Sequence, residues 1–321
     1  MYASWATTLN RVWLCCLLWF PLGLQAEGVR HWLERMDQAL DTLNYQGIFV
    51  YLQGDRLEAM QWVRSTEGGR EREHFFALTG PEREMIRDGE TMVCILPQET
   101  ALRLEERPRR LVLRHLAQRF EALQPFYHFA LEKRDRVAGR PTQILGITPK
   151  DSYRYGYRLW LDHDHGLILK SQVMDAEGLV YEQLMFASVA FLDHVDASLF
   201  EPFLKGKRLT WHHGQNLEEA GEGFPAWRVT WLPEGFTLVS RGMRRSPFSR
   251  QLREQRVFSD GLAAVSVFIE RAHPGSPPSS GLSAVGALHT YRRHLDGLVV
   301  TVVGEVPALT IRRIAESVRR D

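Results

Sequence analysis

Residues Tyr153 to Phe186, YRYGYRLWLDHDHGLILKSQVMDAEGLVYEQLMF, read as three β-strands joined by two tight turns. In the first strand Tyr153, Tyr155, Tyr157, Leu159 and Leu161 fall on one face. Arg154, Arg158 and Trp160 fall on the other, which is the period of two that a pleated strand imposes. The turns, DHDHG at 162–166 and DAEG at 175–178, both end in glycine, the residue that takes the positive φ of a hairpin without strain. The stretch presents a broad aromatic and aliphatic face and no nucleophile–base pair. A sheet that binds something apolar fits this pattern better than one that performs bond chemistry.

The flanking sequence extends the sheet in both directions. Val29 to Leu43 places Trp32, Leu33, Met36, Leu40 and Leu43 at helical spacing, an amphipathic helix with one apolar face. Short strands follow at Ile48–Leu52, Leu57–Arg64, Phe75–Leu78, Glu84–Arg87 and Thr91–Leu96. A second helix over Leu111–Leu123 stops before Pro125, and strands at Phe126–Arg134 and Gln143–Thr148 lead into the opening trio. Many short strands with only two helices predict a mainly β fold with a curved antiparallel sheet or partial barrel. Residues 204–223 are polar, glycine-containing and aperiodic, as linkers are. From 224 a smaller α+β domain is expected: strands at Trp227–Trp231, Thr237–Arg244, Gln251–Phe258, Ala263–Arg271, Leu288–Leu295 and Leu298–Val303. A helix opened by Pro307 closes it, and HPGSPPSSG at 273–281 is a loop.

The first 26 residues set the expected compartment. Arg11 precedes the apolar run VWLCCLLWF, and Pro21 and a small Ala26 follow, the outline of a cleaved signal peptide. The run is about half of the ~20 residues that span a bilayer. Leu14 before Cys15, where a lipidation signal carries a small residue, argues against a lipid anchor. The mature chain, 27–321, then keeps Cys94 alone, inside MVCIL, where a buried hydrophobe is the ordinary reading. An exported chain without disulfides depends on its cores, and this one is long enough for two domains. The full chain has 40 Lys and Arg against 39 Asp and Glu, with Arg11 the one charge in the leader, so the mature chain lacks the basic excess of a nucleic-acid binder.

Candidate chemistry was weighed against plainer readings. Asp162-His163-Asp164-His165 has metal-ligand residue types, but in a turn alternating side chains are expected to diverge, so solvated turn residues are the expectation. His212-His213 is no stronger. The chain has no HExxH, paired CxxC, GxSxG or phosphate-cradling glycine loop, so no catalytic residue, metal or cofactor is assigned. The aromatic strand residues of the first domain either fill an ordinary core or line an apolar ligand cavity. The run Arg241, Arg244, Arg245, Arg250, Arg253 and Arg256 is either a solvated strand face or a surface for phosphates or acidic side chains.

Several separated motifs share one resemblance. YGYRLWLD, GLILKSQVMDAEG and EQLMF in the opening stretch, NYQGIFVY at 44–51, GDRLEAMQWVR at 54–64, WLPEGF at 231–236 and VFSDGLAAVSVFIE at 257–270 resemble the MucB/RseB family of periplasmic regulators, in order and over nearly the whole mature chain. The resemblance implies a half-barrel first domain (27–203) like those of lipoprotein carriers, which shelter acyl chains, and a second domain (224–321) that takes part in partner binding. It implies a periplasmic protein, a homodimer, that binds the periplasmic part of a MucA/RseA-type anti-sigma factor, shields it from the initiating protease, and is displaced by lipid or lipopolysaccharide. On strand position, Phe49, Tyr51, Trp62, Phe129 and Tyr155 are the candidate lipid-binding residues. Arg244, Arg245, Val257, Phe258, Val267 and Ile269 are the candidate partner-binding ones. A periplasmic lipid or lipoprotein carrier is the alternative, which leaves the second domain unexplained; a hydrolase is the third reading.

Overall fold

The computed structural model describes residues 22–96, 113–212, 226–245, 252–272 and 280–320. The expected signal peptide up to Pro21, residues 213–223 of the expected linker with 224 and 225 after it, and most of the 273–281 loop lie outside the described residues. The first domain opens with helix α1 (Leu22–Thr42), followed by β1 (Tyr45–Gln53), β2 (Arg56–Ser65), β3 (Arg72–Ala77), β4 (Glu84–Asp88) and β5 (Thr91–Leu96). Helix α2 (Leu116–Leu123) precedes β6 (Tyr127–Val137), β7 (Arg140–Pro149), β8 (Gly156–Asp162), β9 (Ile168–Met174) and β10 (Val180–Phe191). The sheet is antiparallel, in the order β11-β5-β4-β3-β2-β1-β10-β9-β8-β7-β6, with β11 at Lys207–His212.

β11 corrects the sequence reading. Its residues fall inside the stretch taken as linker, yet they pair in register with β5 from Lys207–Leu96 to His212–Thr91. A short polar strand at a sheet edge carries little periodic signal, and the edge of β5 supplies the hydrogen bonds that order it.

Register shows which residues share a face. Tyr51 stands opposite Leu184, Leu184 opposite Ser171, Ser171 opposite Leu159 and Leu159 opposite Leu145, so one row crosses five strands on the inner face. Over β6–β9, α1 and α2 cover this face: Val29, Leu33, Met36 and Leu40 from α1, with Leu116, Phe120 and Leu123 from α2, pack on Tyr127, Leu145, Ile147, Tyr157 and Leu159. Over β1–β3 the same face holds an aromatic cluster. Trp62 lies 4.5 Å from Phe75, 5.5 Å from Tyr45, 5.7 Å from Phe49 and 6.0 Å from Phe186, ring centre to ring centre. Tyr51, Met60, Met85 and Leu184 border it and remain half-buried.

Both helices are finished by side chains distant in sequence. The buried guanidinium of Arg64 donates to the carbonyls of Leu40 and Leu43 at the end of α1, which has no basic residue of its own in the last turn. Those carbonyls have no partner inside the helix and carry its negative end. The carboxylate of Asp37 accepts the first amides of α2, Leu116 at 3.2 Å and Ala117 at 2.9 Å. This cap, with His115 in the left-handed region at φ 56, starts α2 at Leu116; the expected start at Leu111 lies outside the described residues.

The second domain is a six-stranded sheet in the order β13-β14-β15-β18-β17-β16. Its strands are β13 (Thr237–Arg245), β14 (Leu252–Ser259), β15 (Ala264–Arg271), β16 (Gly281–Val285), β17 (Leu288–Leu295) and β18 (Leu298–Gly304). Helix α3 (Ala308–Ser317) packs on it, with Ile311 and Ile314 against Val265, Val267, Ile269, Val300 and Val302 in one core. A short ribbon of β12 (Trp227–Val229) and β19 (Val318–Arg320) completes the domain. β16 escaped the sequence reading because all five of its residues are exposed and give no alternation.

The aromatic cluster sets the stability of the open half of the first sheet. Trp62→Ala is expected to cost about 3–5 kcal/mol, the range for a large buried aromatic, whereas Leu57→Ala, at a side chain 64% exposed, is expected to stay within about 0.5 kcal/mol. Denaturant unfolding of the full chain measures both.

Candidate functional site

The residues quoted first for the fold also form the junction between the domains. The chain bends at 151–154 before β8: Asp151 accepts the amide of Tyr153 at 2.9 Å, so the strand starts at Gly156, not at Tyr153. The bend turns Arg154 away from the sheet into the second domain. Its Nη1 lies 2.7 Å from Oδ2 of Asp260, and both side chains are 0% exposed. Nη2 also donates to the carbonyl of Glu234 at 2.8 Å, and Asp151 takes a further contact at 2.8 Å. The guanidinium is enclosed by the rings of Phe126, Tyr127 and Phe236, 5.0–5.5 Å from its central carbon.

Asp260 is fully committed. Oδ1 accepts the amides of Leu262 and Ala263 at 2.8 and 2.7 Å, and Oδ2 accepts the Tyr127 hydroxyl at 2.9 Å. Burial, and then the neighbouring Asp260 charge, push the Tyr127 phenol well above its ordinary value. The turn after Asp260 inserts Leu262 into the core of the first domain, and Arg119 of α2 donates to the Gly261 carbonyl. Gly235 at φ +83 lies against the Phe126 ring with no room for a Cβ. The motifs WLPEGF and VFSDGL therefore both end on Arg154. A second contact is the β16–β17 hairpin, whose Ala287 belongs to the same first-domain core. A third is α3, where Thr310 donates to the Tyr153 carbonyl at 2.8 Å and Arg313 to the Tyr153 hydroxyl at 2.6 Å.

The DHDHG turn differs from the expectation in its geometry. Asp162, Asp164 and His165 converge, with ligand atoms within 4.8 Å of one another. What they converge on is Arg140: its Nε donates to Asp162 at 2.6 Å, and its Nη2 lies 3.2 Å from Asp162, Asp164 and His165. Burial raises the Asp162 carboxyl, but hydrogen bonds from Arg140 and His165 outweigh it and hold the group below the usual carboxylate range. Asp162 also accepts the amides of Asp164 and His165, and Arg35 of α1 donates to the His163 and Asp164 carbonyls. A guanidinium thus fills the place a cation would take, and the turn ties α1 to the sheet.

The candidate lipid residues fall in two groups. Phe49 and Trp62 are buried in the aromatic cluster, and Tyr51 stands half-buried at its border. Phe129 packs on Phe120 under α2, and Tyr155 is buried 4.9 Å from the ring of Tyr181 and 6.4 Å from His289 of the second domain. Sequence reasoning passed over Met60 and Leu184, the half-buried inner-face neighbours of Tyr51, and Met85 farther along the same face; strand parity was the signal that could have found them.

The candidate partner residues need a correction. Val267 and Ile269 are 0% exposed and Phe258 is buried, all facing the core under α3, so these three side chains hold the sheet together and cannot touch a docked chain. The sequence reading did not say which face α3 would cover. Val257 is half-buried on the opposite face, and Arg244 and Arg245 sit at the end of edge strand β13, opposite Arg253 and Leu252.

Family comparison follows the same division into two parts. Residues 28–204 match the MucB/RseB N-terminal domain and residues 222–319 the MucB/RseB C-terminal domain. The chain belongs to the MucB/RseB family. It is 35% identical over 304 residues to the sigma factor AlgU regulatory protein MucB of Pseudomonas aeruginosa, covering 92% of each chain. It is 28% identical over 294 residues to the sigma-E factor regulatory protein RseB of Escherichia coli, covering 89% of each. Among solved structures, the Pseudomonas aeruginosa MucA/MucB complex superimposes with a TM-score of 0.72 at 31% identity, over 92% of this chain and 99% of the other. A crystal structure of MucB with MucA(peri) gives 0.70 at 30% identity, over 91% and 99%. These MucB/RseB relatives are named as regulatory proteins.

Two outcomes test the junction. Asp260→Asn keeps acceptors for the turn but leaves Arg154 without its buried counter-charge, and is expected to cost about 3–5 kcal/mol. Combined with Arg154→Met it should cost less than the sum, with a coupling of about 0.5–3 kcal/mol in a denaturant-unfolding cycle. The raised Tyr127 phenol gives a sign for pH. The folded state holds this proton to higher pH than the unfolded chain does, so stability falls as pH rises through the ordinary tyrosine value near 10. Tyr127→Phe should make that alkaline loss shallower, read from chemical denaturation between neutral and alkaline pH.

Proposed function

We propose that this chain is a periplasmic regulator of an envelope-stress sigma factor. It binds the periplasmic part of a MucA/RseA-type anti-sigma factor, shields that segment from the initiating protease, and lets it go when lipid or lipopolysaccharide binds. The observation that carries this reading is the likeness, over nearly the whole chain, to a MucB structure solved with MucA. The apolar strip at Tyr51, Met60 and Leu184 supports the lipid part, because these side chains are only half-covered while their neighbours are packed. Phe49 and Trp62 shape the wall behind that strip, and Phe129 and Tyr155 extend the apolar lining toward α2 and the second domain. Arg244, Arg245 and the half-buried Val257 offer the second domain's side of a partner contact. No helix among the described residues is long and apolar enough to cross a membrane. A homodimer is part of the proposal, and sedimentation of the mature chain checks it.

Release by a ligand requires a state that the ligand favours and the partner does not. Two domains meeting through a few discrete contacts supply such states. The carrier reading treats the second domain as an addition, but Leu262 and Ala287 are core residues of the first domain's own cluster.

The test is a binding titration. Mature chain 27–321 is added to a labelled periplasmic segment of a MucA-type protein, with and without lipopolysaccharide. Saturable binding is expected, weakened about 5–150-fold by the lipid, the usual range of a coupling free energy. Protection of the segment from a site-1-type protease should fall in parallel. Absence of saturable binding, or binding indifferent to lipid, sinks the corresponding part of the reading.

A further inference from the structure

The two loops that the second domain sends into the first are held very unequally. The turn at Asp260 is anchored by a buried ion pair, the Tyr127 hydroxyl, Arg119 and Leu262. The other loop is the tip of the β16–β17 hairpin, Val285 to Leu288. β16 has no buried residue and pairs only with β17, so the hairpin is fixed by β17 on one side and by its tip.

The tip is seated closely but with few bonds. Ala287 is 0% exposed inside the first-domain core that holds Tyr155, Tyr157 and Leu159. Its amide donates at 2.7 Å to Oε1 of Glu182, a carboxylate 1% exposed. The other carboxylate oxygen accepts the Tyr51 hydroxyl, and Gln53 reaches Oε1 at 3.3 Å and the Val285 carbonyl at 3.5 Å. Gly286 takes φ +56, and a Cβ there would stand 2.6 Å from Cγ of Gln53 and would overlap Glu182. The seat was therefore shaped for a loop without side-chain bulk. Ala287 is the one fully buried side chain of the tip, a single methyl, while Leu288 is half-buried and Val285 exposed.

Its position gives the tip a role. Tyr51, which bonds the same carboxylate, stands opposite half-buried Leu184 and diagonal to half-buried Met60, so the three form a half-buried strip across β10, β1 and β2. The tip thus closes the end of the apolar face at which an acyl chain lying on the strip would meet the second domain. We propose that the Val285–Leu288 tip is a displaceable plug, and that an acyl chain on the inner face and the seated tip exclude one another. This rests on the lipid-release reading and supplies its route. An acyl ligand breaks the weak contact, the Asp260 anchor holds, and the second domain pivots on Arg154. Such a ligand shifts the equilibrium by its preference for the plug-out state.

The probe for the test is dansyl-undecanoic acid, titrated by fluorescence against mature chain 27–321. In a Cys94→Ser background, Gln53→Cys with Val285→Cys places two thiols across the seat, where Gln53 now reaches the Val285 carbonyl at 3.5 Å, and a short bis-methanethiosulfonate linker joins them through two disulfides while Gly286 is kept. The linked protein should bind the probe about tenfold or more weakly than the reduced one, with recovery on reduction. Gly286→Val, which has no room for its side chain, should do the reverse. Its probe affinity should rise, and hydrogen exchange at Ala287 should quicken while Val300 and Val302 stay protected. Equal probe binding by linked and reduced protein overturns the plug, as does quickened exchange in Gly286→Val with unchanged affinity. Lipid-triggered release of a MucA-type segment from the linked protein also overturns it and leaves the regulatory reading standing. Failure of the reduced protein to bind that segment counts against the regulatory reading alone.

Discussion

The Arg154–Asp260 ion pair is the constraint on which the arrangement of the two domains depends. Two charges wholly out of water are costly unless every donor and acceptor is used. Here they are matched closely: the guanidinium meets Asp260, Asp151 and the Glu234 carbonyl, and the carboxylate meets two amides and a phenol besides. None of these partners can leave singly without stranding a buried charge. The pair therefore specifies the point at which the two domains meet more than it adds net stability.

Around that junction the first sheet solves a geometric problem. Eleven strands offer a longer apolar face than α1 and α2 can cover. The helices take the half over β6–β9, an interlocked aromatic group fills the space over β1–β3, and Tyr51, Met60 and Leu184 at its border remain half-buried, an open strip. The helices stay in place through distant polar groups, Arg64 at the end of α1 and Asp37 at the start of α2. The hairpin tip of the second domain then sits at the end of the open strip, so the surface suited to an apolar ligand and the contact between domains share Glu182 and Tyr51.

Much of the fold was legible because it is written in local signals. Alternation in Tyr157, Leu159 and Leu161 and the glycines at 166 and 178, with φ of +76 and +88, marked β8 to β10 and their turns correctly. The DHDHG turn shows where local reasoning fails. It did not foresee that the three side chains would converge, because the group that gathers them, Arg140, lies on a neighbouring strand. Val267 and Ile269 show the same limit. Their strand was legible, but which face α3 would cover was not, so core residues were assigned to a surface.

By itself the sequence determined the mainly β character, the division into a large and a small domain, the hairpin turns and the family. Each follows from period, glycine position or an ordered set of motifs, all of which act within a few residues. Only the tertiary structure decided that Arg154 meets a carboxylate 106 residues away, that β11 extends the first sheet, and that an exposed hairpin ends in a buried alanine. The physical reason is common to all three. A desolvated ion pair, an edge-strand pairing and a side-chain-free seat are each made by two distant surfaces meeting, and neither surface alone carries a pattern that announces the other.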